Sequence, residues 1–109
     1  MSPFGYQEQQ FDLPQMNGLS EKQIREHLKL YAGYVKHTNL ILAKVQELSV
    51  DPAANAYALA EVRRRLGFEF NGMRLHEYYF RQLGGSGDPT LAPSLHKALS
   101  EQYGSFEAW

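Results

Sequence analysis

Apolar residues recur at helical spacing along most of this chain. Ile24, Leu28, Tyr31, Val35, Thr38, Leu42 and Val45 alternate steps of four and three, which keeps them on one stripe of a helix running to about Leu48. Ser20 followed by Gln23 is a capping box, and Leu19 with Ile24 are placed as a hydrophobic staple, so the helix starts there. Asp51-Pro52 then offers an N-cap and a first-turn proline for a second helix. Its stripe, Leu59, Val62 and Leu66, resumes in Met73, His76, Phe80 and Leu83, and a kink or short break is expected near Gly67 and Asn71-Gly72.

Two long stripes joined by a short turn predict an all-α fold built on a long antiparallel helical hairpin. Beyond a glycine-rich loop at 84–89, Leu95, Leu99 and Tyr103 mark a short third helix capped by Gly104. Residues 1–18 carry Pro3, Gly5, Pro14 and Asn17-Gly18 with no period, so they read as an extended arm anchored by Phe11 and Leu13, leaving 19–109 as the helical domain. Ser105 looks like the N-cap of a further helix that only four residues follow. A partner or a missing half is therefore expected to receive Phe106 and Trp109.

Composition narrows the functions open to such a hairpin. Of 109 residues, 43% are hydrophobic and 13% aromatic, enough for one modest core. Eleven Lys and Arg against twelve Asp and Glu leave no basic footprint for nucleic acid or acidic lipid. With no cysteine, any metal must be held by His, Asp, Glu or water. Neither a membrane span nor a secretory signal is evident, so the cytoplasm or an organelle matrix is the expected location.

The candidate chemistry lies on the inner faces of the hairpin. His27, Tyr31 and Tyr34 share one face of the first helix, and His76, Tyr79, Phe80 and Leu83 repeat that spacing on the second. His27 lies about 23 positions before the turn and His76 about 25 after it, depths that agree to about one helical turn. The two imidazoles can therefore meet. Neutral imidazole suits manganese, iron, zinc or copper, but two nitrogens do not complete a coordination sphere. Glu26 and Glu77, each next to a histidine in sequence, are expected to point elsewhere. A pair of ordinary core histidines remains the competing reading. His37 and His96 fall off the stripes and are expected at the surface, Arg63-Arg64-Arg65 reads as a solvated face, and Gly84 to Gly87 as a connector.

The run Glu26 to Val35 with Asn39, then Phe70-Asn71-Gly72, His76 to Phe80, and Tyr103-Gly104-Ser105-Phe106 resembles the N-terminal domain of iron/manganese superoxide dismutases, from about Leu13 to Trp109. The resemblance implies one manganese or iron ion per complete site, with His27 and His76 as ligands and Tyr34 as a gateway tyrosine near the metal-bound solvent. It implies superoxide as substrate, converted to dioxygen and hydrogen peroxide. It also implies a C-terminal half, or a second polypeptide, supplying an Asp and a third His, and a homo-oligomer in the complete form. The first ligand and the gateway tyrosine are usually eight positions apart, whereas His27 and Tyr34 are seven apart. Without a gap, Glu26 would take the ligand position. Leu30 or Tyr31 stands where a second funnel histidine is common, and Gly72, four before His76, is closer to the manganese type. The alternative is a non-catalytic structural or assembly subunit, and a further one is a hairpin whose aromatic face docks a partner helix.

Overall fold

The computed structural model describes residues 5–109; the first four positions of the expected arm, Pro3 among them, lie outside the described residues. Two long helices, α1 (Glu21–Leu48) and α2 (Ala56–Gln82), form the hairpin, and a single 3-10 turn (Pro89–Leu91) leads into α3 (Pro93–Tyr103). There is no strand among the described residues, so the all-α expectation holds. No helix among them is long and apolar enough to cross a membrane.

The α1 N-terminus forms as its sequence dictates, with Ser20 Oγ accepting from the Gln23 amide at 3.0 Å. The start of α2 differs from expectation. Asp51 Oδ1 accepts from the Ala54 amide at 3.1 Å and closes a turn of its own, so the helix begins four residues later than expected, behind Asn55. Asn55 braces this turn by donating Nδ2 to the Leu48 carbonyl at 3.2 Å and to that of Asp51 at 3.1 Å. The break expected near Gly67 and Gly72 is also absent, because α2 runs through both. Gly72 is a packing residue: a Cβ there would overlap the Tyr34 ring, so the missing side chain lets the arms close.

The core occupies the site-bearing third of the hairpin. Tyr31 and Val35 from α1 meet Met73 and Phe80 from α2, with Phe11, Leu13, Leu28, Phe70 and Leu83 packed around them. Burying side chains of this size stabilises the pairing by roughly 1.5–3 kcal/mol each. The predicted stripes carry this contact, and Phe11 and Leu13 anchor the arm as expected. Farther out, the Asn39 side chain accepts the Tyr6 N–H at 2.7 Å and donates to the Tyr6 carbonyl at 2.8 Å, gripping the arm as a neighbouring strand would. Among the described residues, α3 packs against the 3-10 turn and touches neither arm of the hairpin.

Candidate metal centre

His27 is carried by α1 and His76 by α2, and the hairpin brings their rings edge to face with centroids 4.7 Å apart. Each ring is wedged by aromatic neighbours. Tyr79 and Phe80 lie 4.9 and 5.0 Å from His27, and Tyr34 lies 5.2 Å from His76. His76 Nδ1 sits 2.5 Å from the Gly72 carbonyl oxygen, one turn back on α2. A carbonyl only accepts, so Nδ1 carries a proton, and in the neutral ring this leaves Nε2 as the acceptor, a tautomer suited to a metal ligand. Burial first, and the neighbouring His76 second, lower the His27 pKa below the ordinary imidazole value and favour its neutral form.

The carboxylates are disposed differently. Glu26 is exposed and takes Lys29 Nζ at 2.9 Å, so of the two residues that compete for the first ligand position it is His27 that faces His76. Glu77 also engages groups other than the histidine pair, as expected, but it does so inside the fold rather than at the surface. It is buried, with Oε2 accepting from Tyr31 Oη at 2.7 Å and Oε1 accepting from Arg74 Nη1 at 2.8 Å. Tyr31 Oη in turn accepts the Gln9 N–H at 2.9 Å. Burial pushes the Tyr31 phenol up to about 12, the Glu77 carboxylate reinforces the shift and the Gln9 amide opposes it. Sequence held a signal for this network, since Arg74 and Glu77 are spaced as an i, i+3 ion pair.

Tyr34 lies between His76 and Phe68, tilted against both rings, and borders a groove of about 420 Å³ between the arms, lined also by Glu26, Lys29, His37, Arg65 and Glu69. Arg65 is more than solvated surface: it lies 4.1 Å over the Phe68 ring and donates to buried Glu69 Oε1 at 2.9 and 3.1 Å. His37 is exposed as expected, 3.9 Å from Glu69 Oε2. His96 is not, being half-buried and stacked on Phe106 at 5.5 Å. Among the described residues no three His, Asp or Glu side chains gather closely enough to hold a metal, so the histidine pair stands without a third donor.

The site is thus an all-α hairpin that brings one imidazole from each arm edge to face, and sequence comparison identifies its family. The chain is 38% identical over 95 residues to an iron superoxide dismutase of Cupriavidus metallidurans, a match covering 86% of this chain and 47% of that protein. It is 33% identical over 100 residues to an iron superoxide dismutase of Aquifex aeolicus, covering 85% and 46%. A manganese superoxide dismutase of Mycolicibacterium smegmatis is 32% identical over 87 residues, covering 78% and 41%. The chain thus spans about half the length of the curated relatives it matches. No protein-family model matches, and no solved structure matches significantly. By sequence the chain belongs to the iron/manganese superoxide dismutase family, over a stretch consistent with its N-terminal domain.

Proposed function

We propose that this chain supplies two imidazole ligands, His27 and His76, to a mononuclear manganese or iron site of a superoxide dismutase. The remaining donors come from a C-terminal portion or a second polypeptide, and residues 19–109 act as the helical domain behind the arm 1–18. The observation that carries this reading is the orientation of His76, whose Nδ1 is committed to the Gly72 carbonyl while its ring faces His27. Two neutral nitrogen donors fit a borderline divalent metal, and the aromatic wedge around them limits ring rotation. When bound, such a metal supplies one-electron redox chemistry toward superoxide.

The residues of this chain do the rest by position. Tyr34 places its ring beside His76 on the border of the groove, where its hydroxyl can hold a proton near an arriving anion, and Lys29 and Arg65 line the same groove, each paired with a carboxylate, Glu26 and Glu69. The location proposed is the cytoplasm or an organelle matrix, and the complete form is a homo-oligomer. Manganese and iron are both named among the relatives, so both are tested. Complementing this chain with the C-terminal half of a relative should give bound metal and superoxide turnover, both lost in His76→Ala. A fully folded complex that binds neither metal would reject the reading. The competing reading is a non-catalytic scaffold with the same hairpin, for which His27→Ala and His76→Ala would leave assembly unchanged.

A further inference from the structure

The Tyr31–Glu77 pair is the one side-chain hydrogen bond that joins α1 to α2 among the described residues. Apolar contacts between two helices are non-directional and tolerate sliding. A buried carboxylate does not, because it must find its partners in place or remain unsatisfied. Glu77 has both oxygens filled, one from across the hairpin by Tyr31 and one along its own helix by Arg74. Sliding α2 by one residue moves it about 1.5 Å and turns it about 100°, enough to part Glu77 from the Tyr31 hydroxyl. That hydroxyl lies one turn along α1 from His27, and Glu77 is the residue after His76, so whatever fixes this bond also fixes the meeting of the two rings.

We infer that Tyr31 and Glu77 are positioning residues, a register pin that holds His27 against His76, with Arg74 balancing the buried charge. Buried polar pairs are known to select register in packed helices at some expense of stability. This rests on the reading of the histidines as a metal half-site, but the register can be measured without metal.

The test uses the isotope-labelled chain and the nuclear Overhauser cross-peak between the ring protons of His27 and His76. The wild type shows the cross-peak. Glu77→Gln, which keeps an acceptor for Tyr31, retains it. Tyr31→Phe loses it. The double variant Tyr31→Phe with Glu77→Met removes both polar groups together; it keeps a thermal midpoint at or above wild type and still loses the cross-peak, separating register from stability. A double variant that keeps the cross-peak overturns the proposal, as does one that cannot fold or a wild type that lacks the signal. Cobalt(II) added to the wild type complemented with the C-terminal half of a relative then tests the metal reading by itself. Paramagnetic shifts on both rings support it, and unshifted rings reject it while leaving the register result standing.

Discussion

Tyr34 on α1 and Gly72 on α2 occupy a single space: the phenol ring fills the volume that a side chain at 72 would need. Gly72→Ala therefore sets two effects against each other. Alanine gains up to about 1 kcal/mol as the better helix former, and forcing a methyl into packed surroundings costs about 1–3 kcal/mol. The overlap involves ring carbons at the helix interface, so the second effect wins. Urea unfolding should show a lower midpoint, and the Tyr34 ring resonances should move; a midpoint at or above wild type would contradict this account.

Thr38 is fully buried between the arms, and its Oγ1 has no hydrogen-bond partner. An unsatisfied buried hydroxyl costs about 1–3 kcal/mol. Thr38→Val keeps the shape and removes the group, so the chain should gain about 1 kcal/mol, read as a higher thermal midpoint. A loss of stability would mean that the hydroxyl has found a water or a carbonyl.

The lowered pKa of His27 links folding to pH. Below the ordinary imidazole value the unfolded chain binds a proton at this position that the folded chain binds less readily. Stability from this residue is therefore fully present above pH ~6.5 and falls as pH drops from there toward the folded value. Chemical denaturation between pH 5 and 7.5, as a working range about the reference pKa, should show this slope in the metal-free wild type and a shallower one in His27→Gln. Equal slopes would refute it.

Tyr31 has the opposite linkage. Its phenol, raised to about 12, stays protonated in the fold after an unfolded tyrosine has ionised. Its contribution is intact below pH ~10 and lost as pH rises through the folded value. Alkaline unfolding should thus be less steep in Tyr31→Phe, and ultraviolet titration should find one phenol fewer among those that ionise late. An unchanged profile would place Tyr31 outside the network.

The hairpin was legible because its two stripes are long and its first cap is written in Ser20 and Gln23. The meeting of His27 and His76 followed from their depths alone. Glu77 was not legible for a definite reason. The buried line of α2 runs through Glu69, Met73, Glu77 and Phe80, and a reading that scores apolar residues steps over its carboxylates, whose burial depends on partners elsewhere in the chain. Gly67 and Gly72 suggested a break because glycine is a poor helix former in isolation, whereas Gly72 is held by the ring packed on it. The start of α2 fell four residues beyond the one Asp51 suggested because an aspartate caps a turn and a helix with the same hydrogen bond.

The separateness of α3 carries its own consequence. An eleven-residue helix touching neither hairpin arm draws little cooperativity from them. Isolated helices shorter than about 12–15 residues are marginal in water. Its amides should open by local fraying, trading hydrogen for deuterium far ahead of those around Met73, so the chain has two tiers of protection within one fold.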